Sequence, residues 1–462
     1  MTGVPEAPEQ ALHRVVDRAL DRATGSRIIP GNRVSLLFNG PAIFPAMLER
    51  IAAAQRWIHL DSYIFRGDET GRRFADALIE RAAAGVAVRI ITDWMGSLTT
   101  RDKFWRPFRK AGVQVRKFNP PQLLRLRRNL IRDHRKLLVV DGSTTIIGGH
   151  CIGDEWAGDP AKGRQPWRET ACAVDGPAAI AADRAFATVW SALGETIEPG
   201  ELVAEVAPQG ESELRIMAGE PGIPRAARMT ELLLDGSEQR IWITDAYFVA
   251  PPTIYQALMD AARAGLDVRL LVPGTSDLSH LQNLTRIGYR DLLRAGVRIF
   301  EWRGPMLHAK TLVIDGRWVR IGSTNLNMSS LLANYELDVV AEDPRLATEM
   351  EAQYRRDIDE SVEILLGPAR GRRPALSTAT EERSGRGPHR PGFRERRRRA
   401  VVAVWAVVSG ARRSILLEYS IALGTLGILF LVLPQIMAAV FGALALWLAL
   451  SAWLETWGRE RN

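Results

Sequence analysis

The pattern His-x-Lys-x-x-x-x-Asp occurs twice in the chain, as His134, Lys136 and Asp141 and again as His308, Lys310 and Asp315. Each copy runs on to a glycine, Gly148 and Gly149 in the first and Gly322 in the second, where Ser323 and Asn325 follow. Residues two apart in an extended chain project to one side, so each imidazole and its ammonium should point together. Two such pairs facing one another would surround one point with two groups able to attack or carry a proton and two fixed cations. A phosphodiester needs that set: a nucleophile, an acid for the departing oxygen and positive charge at the non-bridging oxygens. A single histidine is more often structural, and that reading fits His13, His59, His280 and His389. Duplicated spacing at matching places is what sets His134 and His308 apart.

The duplication extends to the elements that must hold these residues. WIHLDSYIF from Trp57 matches IWITDAYFV from Ile241, and AAAGVAVRIITD from Ala82 matches AARAGLDVRLLVPG from Ala261. FRKAGVQVRKF from Phe108 matches LLRAGVRIFEW from Leu292, in the same order. Each block pairs a short β-branched strand with an Ala-rich helix that stops near Gly85 or Gly265. Alternating strands and helices predict an α/β fold of two pseudo-symmetric lobes, each a mostly buried β-sheet flanked by helices. The expected divisions are an N-terminal segment over 1–32, lobes over 33–205 and 206–366, a linker over 367–399 and a C-terminal region over 400–462. Pro199, Gly200, Pro208 and Gly210 mark the break between lobes, and a helix from about Pro344 to Leu365 closes the second.

The formal net charge of +8 is concentrated in the linker, whose eleven Arg and three Glu account for all of it. The rest of the chain is therefore neutral in sum, which argues against a nucleic-acid-binding surface and against nucleic acid as a partner. Ile421 to Trp453 contains no charged residue, Pro434 and Gln435 divide it, and Arg412, Arg413, Arg459 and Arg461 flank it. One span needs about 20 apolar residues, so the expectation is a transmembrane helical hairpin with both ends cytoplasmic. The N-terminus lacks the apolar stretch of a signal peptide, and two cysteines, Cys151 and Cys172, make no disulfide framework. Arg125, Arg127, Arg128 and Arg132, interleaved with leucines ahead of the first motif, suit either a solvated loop or a lip for anionic head groups. No cluster has metal-ligand spacing, and the chemistry calls for no cofactor.

The duplicated motif resembles the signature of the phospholipase D superfamily over about Phe38 to Ile358. RRNLIRDHRKLLVVDGSTTIIGGHCIGDEW from Arg127, WRET from Trp167 and GSTNLNMSS from Gly322 are similar to blocks of its cardiolipin synthase branch. The resemblance implies two phospholipase D-like lobes and a phosphatidyl group carried from one phospholipid, such as phosphatidylglycerol, to the alcohol of another through a phosphohistidine. It implies catalytic roles for His134, Lys136, Asp141, His308, Lys310 and Asp315, with His134 as nucleophile and His308 as acid. The two aspartates lie farther along each strand and suit bracing the motif better than touching substrate. Glu169 and Glu336 would anchor the imidazoles, with Ser323 and Asn325 in supporting roles. Cys151 stands where the family has Asn, which leaves two alternatives, His150 supplying the missing donor or the clamp resting mainly on Asn325; Asn327 stands where Asp is usual. The expected setting is the bacterial cytoplasmic membrane, an anionic surface, with the lobes on the cytoplasmic side. Hydrolysis to phosphatidic acid, a nuclease activity and a non-catalytic membrane scaffold are the alternatives.

Overall fold

The computed structural model describes residues 8–121 and 126–366, together with 376–377 and 446–447. Residues 1–118 and 132–390 form one compact unit, and residues 119–131 belong with 391–462 in a second. Of the second, the structure describes a short helix, Leu126–Asn129, and an Asn119 amide donating to the Ile131 carbonyl at 2.9 Å.

In the first unit the chain lays down β1 (Ile29–Phe38), β2 (Trp57–Ser62), β3 (Ala87–Asp93), β4 (Gln114–Phe118), β5 (Lys136–Val140), β6 (Thr144–Gly148) and β7 (Thr170–Asp175). It then repeats itself with β8 (Ser212–Gly219), β9 (Arg240–Thr244), β10 (Asp267–Pro273), β11 (Arg298–Trp302), β12 (Thr311–Ile314), β13 (Trp318–Gly322) and β14 (Glu336–Glu342). β15 (Ser361–Ile364) and β16 (Leu376–Ser377) extend the far edge. The spatial order is β16-β15-β11-β10-β9-β12-β13-β14-β8-β1-β7-β6-β5-β2-β3-β4. Read outward from the β8–β1 pair, the two halves have the same topology. Two separate sheets were expected; instead β1 and β8 pair antiparallel, Ile29 with Leu214 and Asn32 with Ser212, and join them into one.

β2, β3 and β4 are mutually parallel, as are β9, β10 and β11, and the helices Glu69–Ala83 and Pro252–Arg263 make the crossovers to β3 and β10. Both helices end as the glycines require, with Gly85 at φ 93° and Gly265 at φ 94°. A strand covered on both faces reads as an unbroken apolar run, and β5 (KLLVV) is buried along its whole length. Ile58, Leu60, Phe74, Trp105 and Leu138 pack the core of the first half, and Ile241, Ile243, Leu258, Leu270 and Leu312 that of the second.

The closing helix ends at Asp359 rather than near Leu365, because Ser361–Ile364 alternates polar and apolar residues and turns back to pair with β11. The hairpin expected in the C-terminal region lies outside the described residues. Among the described residues no helix is long and apolar enough to cross a membrane.

Candidate active site

β5 lies antiparallel to β2, with Lys136 opposite Ser62, so the first motif enters the sheet at the edge where the parallel strands end. Each histidine sits just outside its strand, on a short bridge to the other half. His134 N–H donates to the Tyr335 carbonyl at 2.9 Å, and His308 N–H donates to the Arg168 carbonyl at 2.8 Å. The residue after each of those carbonyls is a glutamate. His134 Nδ1 is 3.0 Å from both oxygens of Glu336, and His308 Nδ1 is 2.7 Å from Glu169 Oε2. The acid downstream of one motif therefore serves the histidine of the other. One backbone hydrogen bond sets the register of each bridge, and the next side chain along delivers the carboxylate.

Both glutamates are completely buried, yet their carboxyls titrate low. Burial opposes the charge of Glu169, but the His308 hydrogen bond and Lys310 outweigh it and hold the carboxyl at about 2. Burial likewise opposes the charge of Glu336, and His134 and Lys136 outweigh it. An ionised carboxylate can only accept, so each imidazole carries its proton on Nδ1 and leaves Nε2 as a bare lone pair. Desolvation, with repulsion from the lysines, lowers His308 to about 4 and also lowers His134. Both rings are neutral at neutral pH.

The two carboxylates are supported differently. Glu336 accepts from Ser323 Oγ at 2.6 Å and from the Asn334 amide at 3.3 Å. Glu169 accepts from the Thr170 amide at 2.9 Å. Gly149, at the place equivalent to Ser323, is required bare, because a Cβ there would stand 2.6 Å from Glu169 Oε1.

Lys136 and Lys310 are buried behind their histidines, each ammonium donating to the carbonyl of its own motif histidine. Burial and the nearby Lys136 charge lower Lys310 to about 8 against the pull of Glu169. Lys310 is thus a cation below that pH and neutral above it. The value of kcat/KM is expected to fall as pH rises through about 8, read from initial rates well below saturating substrate; a kcat/KM that stays level well above that pH would remove Lys310 from the clamp.

Asp141 and Asp315 are not among these groups. Asp141 accepts from the backbone amides of Gln55, Arg56 and Trp57 at 2.9, 2.7 and 2.9 Å. Asp315 accepts from Glu238, Gln239 and Arg240 at 2.9, 2.8 and 2.8 Å. With Gly142 and Gly316 they form left-handed turns, φ 53° and 67° in one and 54° and 64° in the other, that close the hairpins after β5 and β12. Their work is to pin the strand entries at the opposite edge of the sheet.

Asn325 is buried beside Ser323 with no partner on Oδ1 among the described residues, and an amide can turn its NH2 toward a phosphate oxygen. Cys151 occupies the matching place in the first half, buried and close enough to feel both lysines, and burial pushes its thiol up. His150 is buried, has no partner on Nδ1 among the described residues and is lowered to about 4 by desolvation. A thiol is a weak donor. Cys151→Ala should therefore cost little, while Asn325→Ala should cost about 2.7 to 4 kcal/mol of transition-state stabilisation, the range of an oxyanion-hole donor. Comparing kcat/KM for the two variants decides this, and equal large losses would make Cys151 part of the clamp. Asn327 caps the helix Met328–Leu332 through Ser330 N–H at 3.0 Å and donates to the Tyr247 carbonyl at 3.2 Å, a second bond that Asp could not make.

Four residues at the site carried a sequence signal that motif spacing alone did not use. Tyr63 meets His134 edge-on at 4.9 Å and Tyr247 meets His308 at 5.9 Å, each ring also facing its lysine. Asp61 and Asp245 precede them in the repeated Asp-x-Tyr. Asp245 accepts from the Tyr247 and Leu326 amides at 2.9 and 2.7 Å, whereas Asp61 is buried against Asp133, and desolvation raises both carboxyls of that pair. Behind the bridges, Arg168 pairs with Asp357 at 2.8 Å and Arg135 donates to the carbonyls of Glu336, Ala185 and Gly219. Among the described residues no cluster could hold a metal ion.

The family model described as cardiolipin synthase, PLD-like domain, matches residues 47–155 and 232–358. Cardiolipin synthase A of Pseudomonas aeruginosa is 35% identical over 354 residues, which is 75% of this chain and 71% of that protein. Cardiolipin synthase of Listeria innocua is 31% identical over 365 residues, 77% of this chain and 75% of that protein. In fold, the crystal structure of phosphatidylserine synthase from Haemophilus influenzae Rd KW20 aligns with a TM-score of 0.60 at 14% identity, over 76% of this chain and 92% of that one.

Proposed function

The chain belongs to the cardiolipin synthase family of phospholipase D-like enzymes, and from that membership we propose that it moves a phosphatidyl group from one phosphatidylglycerol to the free alcohol of another. The observation that carries this reading is the crossed pair of His–Glu contacts, which leaves two bare Nε2 atoms between two lysines. The donor phosphate sits between the lysines, and its negative charge offsets the repulsion that keeps the imidazoles neutral, so one ring can hold a second proton. His134 Nε2 attacks phosphorus, and His308 gives its Nε2 proton to the departing glycerol oxygen as the P–O bond breaks. His308, now neutral, takes the hydroxyl proton of the second phosphatidylglycerol. That oxygen attacks phosphorus, the P–N bond breaks, and cardiolipin leaves with His134 restored.

Both substrates are membrane lipids, and each methylene withdrawn from the bilayer costs about 0.8 kcal/mol, so the acyl chains remain embedded during turnover. We place the lobes on the cytoplasmic face of the bacterial inner membrane, with 400–462 as the anchor, on the strength of its uncharged run and flanking arginines. Labelled phosphatidylglycerol offered to the purified chain in detergent tests the activity. Cardiolipin with free glycerol is the expected product; phosphatidic acid with glycerol would make the chain a hydrolase, and no conversion would favour a scaffold.

A further inference from the structure

Six of the eleven exposed large apolar side chains described in the catalytic unit lie at one edge of it. Met95 and Leu98 follow β3, Ile223 follows β8, Leu278 follows β10, and Met328 and Leu332 follow β13; their exposures run from 36% to 61%. All of these strands end at the edge where β5 and β14 begin, which is the edge that holds the two histidines.

The tips are tied to the site by hydrogen bonds. Asp93 accepts from the Met95 amide at 2.8 Å and from Arg132 and the Asp133 amide at 3.1 Å each, one residue from His134. Asp277, next to Leu278, accepts from the Tyr247 hydroxyl at 2.8 Å, and that ring faces His308. Asn327, next to Met328, donates to the Tyr247 carbonyl. Apolar tips held this firmly around a reaction centre are built for a surface, and exposed Arg101, Lys103, Lys117 and Arg303 stand along or beside the same edge with the exposed Asp102 and Asp277, whose carboxylates accept from Arg109 and from the Tyr247 hydroxyl.

We propose that this edge is the membrane-docking surface of the catalytic unit, its apolar tips entering an anionic phospholipid leaflet while lipids reach the histidines without leaving it. The proposal rests on the lipid-substrate reading above and adds which face meets the membrane. A lipid whose chains stay embedded can bring its phosphate to a buried site only if the rim of that site touches the leaflet. Residues of the opposite edge, such as Glu238 before β9, should stay in water.

The test uses the full chain carrying an environment-sensitive fluorophore at Leu98→Cys, Leu278→Cys or Glu238→Cys; the native Cys151 and Cys172 are buried and shielded from labelling. On phosphatidylglycerol vesicles, the labels at positions 98 and 278 should shift to the blue and be quenched by lipids carrying a quencher in the acyl chain, and the label at 238 should not. Labels at 98 and 278 that remain as in water, or a label at 238 that shifts equally, would overturn the proposal. A combined Met95→Asp, Leu98→Asp, Leu278→Asp and Met328→Asp variant should lose about tenfold or more of its turnover on vesicles while keeping its rate on a soluble short-chain phosphatidylglycerol. An equal loss on both substrates would also overturn it. Absence of phosphatidylglycerol turnover by the unmodified chain would count against the proposed activity instead, and the labels would still decide which face docks.

Discussion

Replacement of either His134 or His308 by Ala is expected to remove transfer by at least about 10⁴-fold, since groups that act as one unit each cost nearly the whole of the chemistry when lost. Either role, attack or protonation, falls on one imidazole at a time, and the described site offers no third. His150 is nearby but is not held by a carboxylate, so nothing fixes its tautomer. The two variants should differ in stability. Loss of the His134 ring leaves Glu336 with Ser323 and Asn334, whereas loss of the His308 ring leaves Glu169 with the Thr170 amide. A buried carboxylate with fewer donors costs more, by about 1 to 3 kcal/mol per missing bond. Turnover and thermal unfolding measured together check both parts, and substantial turnover by a folded His134→Ala or His308→Ala protein would end the two-histidine mechanism. Under alkaline rapid quench, labelled phosphorus should be found on the peptide that contains His134; its recovery on the His308 peptide would exchange the two roles.

Glu169→Gln and Glu336→Gln should each lower turnover by about 10³ to 10⁴-fold without disturbing the fold, because an amide of the same shape no longer enforces the proton on Nδ1. The crossed contacts make this prediction specific. Glu169→Gln should alter the ring nitrogens of His308 and leave those of His134 unchanged, and Glu336→Gln should do the reverse. Imidazole ¹⁵N spectra of the two variants check it. A change confined to the histidine of the same half would mean that each glutamate serves its own motif.

The duplicated fold and both His-Lys pairs were legible in the sequence because each leaves a local pattern: a spacing, a strand followed by a helix, a glycine where a helix must stop; Glu169 and Glu336 leave none and came only from the family resemblance. The crossing was not legible. His308 and Glu169 are 139 residues apart and His134 and Glu336 are 202 apart, and no periodicity records which of two equivalent acids meets which of two equivalent histidines. The join between β1 and β8 was missed for a related reason, since an edge strand reads the same whether its partner is water or another edge. Asp141 and Asp315 lie within the motif yet work at the far edge of the sheet, as strand geometry requires of residues that open the turn after β5 and after β12. Tyr63 and Tyr247 were visible in the aligned repeat, but an aromatic residue after a buried strand is ordinarily part of the core.

Exchange of carboxylates between the halves also orders events while the chain is being made. A growing chain completes its first lobe with His134 in place but without Glu336, which lies 202 residues farther on. At elongation rates of about 5 to 20 residues per second, that interval lasts roughly 10 to 40 s. Throughout it the imidazole has no partner to fix its tautomer and no opposing histidine to exchange protons with. The nascent chain can therefore lie beside a membrane full of its own substrate and remain chemically silent until both lobes have emerged and closed on one another.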